Sequence, residues 1–145
     1  MDRNKVDWIW HYVSNNCKCE ECGKIEAPFP ENVCDAHTHG MYKYNHPEFQ
    51  VILDYGPREV GRLLNSMGLR VQNGEAFKDG DFVKGLYEDC DILLREIPDC
   101  NGISVLRLVI PDKNYNMPEN SNPPYSYQMI STPLLYAGEE RKDEE

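Results

Sequence analysis

The sequence predicts an α+β fold: one domain in which a mainly antiparallel sheet packs against a single central helix, with an N-terminal helix alongside. Three observations point to it. Residues Pro57 to Asn73 carry one apolar stripe at helical spacing. Short aliphatic runs on either side are bounded by Gly, Pro and Asn turn signals. A chain of 145 residues without an internal repeat suits one core.

Taken in order, Asp2 can cap a first helix in which Val6, Ile9, Trp10 and Val13 recur at helical spacing, ending near Asn15 and Asn16. From Cys17 to Asn32 the chain is loop-like, because Gly23, Pro28 and Pro30 block regular structure. Ala36 to Met41 and Phe49 to Leu53 read as two strands around the turn-prone YKYNHPE. Gly56 and Pro57 open the central helix. Its stripe is Val60, Leu63, Leu64, Met67 and Val71, and Gly74 is a natural stop. KDGD (Lys78 to Asp81) is a turn, and Phe82 to Tyr87 a short strand interrupted by Gly85. Ile92 to Ile97 and Ile103 to Ile110 form a hairpin across PDCNG. Asp112 to Pro124 is irregular surface, Tyr125 to Ile130 a final strand, and residues 139–145 a disordered acidic tail on a domain spanning 1–138.

Composition limits the function. With 25 acidic against 15 basic side chains, the net charge of −10 repels nucleic acid and anionic membrane surfaces. The opening MDRNKVDWIWHYV has no apolar run of signal-peptide length, and no stretch approaches the roughly 20 apolar residues of a membrane span. The expected location is the cytoplasm.

The chemistry is concentrated in CKCEECG and CDAHTHG, which place Cys17, Cys19, Cys22, Cys34, His37 and His39 in the first third of the chain. In a reducing compartment such clustered thiols favour a metal over disulfides. Zinc, or less often iron, takes three or four thiolates or neutral imidazoles at about 2.0–2.3 Å. Cys19-Glu-Glu-Cys22-Gly23 has the two-residue gap of a zinc knuckle, and Cys34-Asp-Ala-His37 repeats that gap. Cys17 and His37 compete for the fourth place. A strand running from Cys34 to His39 puts both histidines on one face and Cys34 on the other, which favours four sulfurs. The loop 17–34 is then a metal-binding loop. Cys90 and Cys100 stand apart and read as a partly buried thiol and a turn residue.

Asp35-Ala-His37-Thr-His39-Gly40 also resembles the Asp-x-His-x-His segment of metal-dependent hydrolases of the amidohydrolase and PHP types. That resemblance implies histidine ligands and a metal-bound water as nucleophile. Those enzymes use large barrels with further ligands on later strands, and after His39 this chain has only His46. His11 reads as a surface or boundary side chain. No phosphate-binding glycine loop and no nucleophile elbow occur.

Thr38-His39-Gly40-Met41, Asn45-His46-Pro47-Glu48-Phe49-Gln50-Val51-Ile52, Leu63-Leu64-Asn65, Val71, Gly74-Glu75 and Phe77 follow one another in an order that resembles the bacterial domain of unknown function 4262 family, over about residues 36–110. The resemblance implies a small α+β domain and no established activity. It singles out His46, Glu48 and Asn65 as a shared surface. The cysteine cluster lies outside the resemblance. The sequence as a whole therefore points to a cytoplasmic binding or regulatory domain with a structural zinc site and an unidentified protein or small-molecule partner. The hydrolase, or an acidic interaction or inhibitor protein, are the alternatives.

Overall fold

The computed structural model describes residues 8–14, 32–88, 90–98, 102–112 and 114–132. Among them, six strands and one helix follow the order β1 (Ile9–Ser14), β2 (Val33–His39), β3 (Phe49–Leu53), α1 (Pro57–Gln72), β4 (Phe82–Val83), β5 (Ile92–Pro98) and β6 (Ser104–Val109). The strands form one mixed sheet in the order β1-β2-β3-β6-β5-β4. Every neighbouring pair is antiparallel except β3 and β6, which run parallel at its centre. The α+β class holds.

Two expected elements are corrected. The segment from Ile9 is a strand and not part of an N-terminal helix; residues 1–7 lie outside those described. Two periodicities compete in WIWHYV. The helical one, through Ile9, Trp10 and Val13, loses to an alternation of large aromatics at Trp8, Trp10 and Tyr12. The reason lies on α1, where Gly61 and Gly68 occur seven residues apart on one face. A Cβ on Gly61 would meet Trp10 Cζ2 at 2.6 Å, and one on Gly68 would run into the Trp8 indole. Two glycines thus open slots for two indoles at strand spacing. Trp8 Nε1 then donates to Gln72 Oε1 at 3.4 Å, and Tyr12 OH to Asp54 Oδ1 at 2.6 Å.

The second correction concerns Tyr125 to Ile130, which holds a 3₁₀ helix over Tyr125–Met129 instead of a strand. Its backbone carbonyls are claimed from below. Arg107 Nη1 donates to the carbonyls of Gln128 at 2.7 Å and Ile130 at 2.6 Å, and Gln128 pairs by its side-chain amide with the backbone of Ile110. An aliphatic run alone cannot foretell that.

The central helix begins at Pro57 and buries Val60, Leu63, Leu64, Met67 and Val71, as the stripe requires. It covers one face of the sheet, where Cys34, Ala36, Phe49, Val51, Leu53, Leu94, Leu106 and Leu108 complete the core. All five residues of β3 are buried, so the central strand is covered on both faces. The segment through Gln128 and Thr132 supplies the cover on the face away from α1.

Candidate functional site

The strand alternation decides which chemical groups meet. Cys34 lies on the helix side, fully buried, its Sγ 3.7 Å from the Val51 carbonyl oxygen. Asp35, His37 and His39 point to the opposite face. The structure therefore does not bring Cys34 and His37 together. Cys17, Cys19 and Cys22 lie outside the described residues, as do Cys100 and the tail 139–145.

What the structure does assemble is a histidine face. The β1–β2 register pairs His11 with His37 and Ile9 with His39, so His11 joins the two histidines of the DAHTHG segment. Ring centres are 4.5 Å apart for His11 and His39, 4.8 Å for His37 and His39, and 5.7 Å for His11 and His37. His39 also lines a shallow recess of about 270 Å³ with Trp8, Ile9, Gly40, Tyr42 and Lys43. Burial, then the neighbouring His37 and His11, push the His39 imidazole below its ordinary value. Neutral imidazoles are the form that ligates metals. As the rings stand His39 packs edge to face on His11 and on His37, and no group of three or more His, Cys, Asp or Glu among the described residues is set around one ion position.

His37 is oriented from behind. Its Nδ1 lies 3.0 Å from Oδ1 of Asp35, a carboxylate that is itself buried. The same oxygen accepts a hydrogen bond from Gln50 Nε2 at 3.0 Å, and Gln50 Oε1 accepts from Arg107 Nε at 2.8 Å. Arg107 is fully buried, and its Nη1 and Nη2 donate to two backbone carbonyls and to Thr132 Oγ1 at 3.2 Å. Burial pulls this guanidinium down to about 10, against the partial support of Asp35, so it stays charged at neutral pH. A polar row thus crosses four strands through the register His11, His37, Gln50, Arg107.

Sequence reasoning passed over His11, Gln50 and Arg107. For Arg107 a signal existed: a charge inside the run ISVLRLVI must either break the strand or find buried partners. For His11 the signal was hidden by the helical reading, since only a strand places it opposite His37.

The remaining motif residues serve the corner between β2 and β3. Glu48 accepts from Thr38 Oγ1 at 2.8 Å and from the backbone N–H groups of Gly40 and Met41. Thr38 Oγ1 in turn accepts from Phe49 N at 2.9 Å. His46 Nε2 accepts from Phe77 N at 2.9 Å, while its Nδ1 lies 2.8 Å from the Pro47 carbonyl, which fixes the Nδ1–H tautomer. These side chains fasten a turn. No family model, curated protein or solved structure matches the chain. No helix of the described residues is long and apolar enough to cross a membrane.

Proposed function

We propose that the chain is a small metal-binding domain of the bacterial cytoplasm, related to the domain of unknown function 4262 family, in which zinc, or alternatively iron, serves a binding or regulatory role toward a protein or small-molecule partner. The observation that carries this reading is the approach of His11, His37 and His39 to within 4.5–5.7 Å. Three imidazoles bound tetrahedrally to one zinc at about 2.0–2.1 Å place their ring centres about 5 Å apart. The spacing therefore already suits an ion. Rotation about the soft terminal torsions would turn the nitrogens from edge-to-face packing toward a common point. Asp35 holds the Nδ1 side of His37, so Nε2 is its coordinating atom, the carboxylate–histidine–metal arrangement that fixes the ring and raises its basicity.

Cys19, Cys22 and Cys34 remain the proposed core of a closed structural site, with Cys17 or His37 as the fourth ligand. Burial of Cys34 on the helix side weighs against its thiolate, and engagement of His37 on the histidine face weighs against a mixed set. The hydrolase reading has one local support: Asp35, His37 and His39 share a face, and a three-histidine site leaves a coordination position for water. The open six-stranded sheet differs from the barrel of those enzymes. The −10 charge supports the absence of nucleic-acid and membrane partners.

Metal content with zinc-edge X-ray absorption on protein purified without added metal tests the assignment. Bound zinc with an imidazole-rich shell that collapses in His37→Ala is expected. A purely sulfur shell, unchanged in that variant, would move the ion to the cysteine loop. Protein free of zinc and iron that also takes up neither on titration would sink the metal reading.

A further inference from the structure

The parallel pair β3 and β6 ends in a cavity of about 420 Å³. Tyr55 follows the end of β3, and Ile110, Pro111 and Asp112 follow β6; Glu59, Tyr87, Cys90, Tyr115 and Tyr125 line the rest of this solvent-open pocket. The carboxyl ends of adjacent parallel strands are where open sheets containing such pairs hold ligands, because the chain leaves both strands there in divergent loops. The volume falls in the range of small-molecule sites, roughly 300–1,000 Å³.

Its chemistry is one-sided. Four of the lining side chains are tyrosines, two are carboxylates, and no Lys, Arg or His is among them. The phenols are largely committed by hydrogen bonds: Tyr55 OH donates to Tyr125 OH at 3.1 Å, and Tyr87 OH to Glu59 Oε2 at 2.7 Å. Burial in the first place holds the Tyr55 and Tyr87 phenols far above their ordinary value, so both stay neutral. With the hydroxyls fixed, the rings are what the walls chiefly offer. Glu59 is neutralised by a two-pronged pair with Arg62, at 2.9 Å and 2.7 Å, whose guanidinium carbon lies 5.1 Å from the Tyr87 ring centre. That ring already engages one cation. Asp112 is held ionised by the backbone N–H groups of Asn116 at 2.9 Å and Asn114 at 2.8 Å.

We infer that this cavity binds an organic ammonium ion, its alkyl groups against the tyrosine rings and its charge balanced by Asp112. Aromatic walls favour a cation through the ring quadrupole, and a bulky alkylammonium sheds its water more readily than a metal ion. The inference is independent of the histidine face, which lies on the β1–β2 side of the sheet.

Saturation-transfer NMR of the full chain with tetramethylammonium and choline tests it, with 3,3-dimethylbutan-1-ol as the uncharged isostere of choline. Saturable binding of both cations is expected, with the isostere about tenfold weaker. Asp112→Asn keeps the acceptor for the 112–116 turn and is expected to weaken choline binding about threefold to tenfold; Tyr115→Ser, at a more exposed wall, is expected to weaken it as well. Circular dichroism establishes that each variant is folded. No saturable binding of either cation overturns the inference. So does equal affinity for the isostere, or choline binding unchanged in both variants.

Discussion

The two faces of the sheet hold together by different means. Toward α1 the contacts are apolar and close: Trp8 and Trp10 enter the slots at Gly68 and Gly61, and buried aliphatic side chains fill the rest. The free energy there is spread over many contacts, each replaceable at modest cost. On the other face Asp35, Gln50 and Arg107 form a buried chain in which every member is the partner of the next. Among the described residues no buried side-chain nitrogen or oxygen lacks a partner. Such a network adds little net stability when complete and costs a great deal when one member is removed.

The largest expected effect follows from that asymmetry. Arg107→Ala strands Gln50 Oε1 and two backbone carbonyls and removes the buried cation whose field supports Asp35, and should cost about 3–5 kcal/mol in urea unfolding. The 125–132 segment should become open to proteolysis at the same time, since Arg107 is what ties its carbonyls to β6. A loss below about 1 kcal/mol would show that the polar face is held by packing after all, and the contrast between faces would disappear.

Next in size is the response of the polar face to metal. Zinc at a hundred times its dissociation constant should stabilise the fold by about 2.7 kcal/mol, provided that it binds only the native state. His11→Ala and His39→Ala should each remove most of this gain. Persistence of the full gain in both variants would assign the ion to the cysteine loop and leave the histidine face without a metal role.

On the helix face, Gly68→Ala should destabilise by about 1–3 kcal/mol, although alanine is intrinsically about 1 kcal/mol better than glycine inside a helix. The added methyl meets the rigid Trp8 indole. In the background Trp8→Leu the same substitution should be close to neutral, and a double-mutant cycle reads the coupling directly. Additive effects would mean that the indole and the glycine are not in contact.

Legibility in the sequence followed the same division. The apolar face could be read: Phe49 to Leu53, the stripe from Val60 to Val71 and the hairpin between Ile92 and Ile110 all depend on local periodicity and local turn signals. The polar face could not. Gln50 and Arg107 lie 57 positions apart and owe their roles to a parallel pairing that no turn announces. His11 became visible only when Trp8, Trp10 and Tyr12 were read with a period of two, and that choice depended on glycines some 50 residues downstream. In the DAHTHG segment His37 and His39 meet a third histidine on the neighbouring strand, while Cys34 turns away into the core.

The smallest expected effect is also the most local probe of the histidine face, and it needs no metal. His39 is depressed by burial first and by His37 and His11 next. In the unfolded chain it takes up a proton near pH 6.5. Above that pH both states are neutral and the ring contributes nothing to the slope. As pH falls through 6.5 toward the lower folded value, the unfolded state binds the proton first, so stability declines with acidity and levels off once the folded ring is also charged. The urea midpoint should therefore drop modestly between pH 7.5 and 5.5, with a flatter profile in His39→Gln. His11→Gln should move the His39 titration, followed by its ring proton in NMR, back up toward the ordinary value, because one of the repelling imidazoles is gone. An unmoved titration would place His11 away from His39 and dissolve the three-ring cluster, whatever the metal analysis finds.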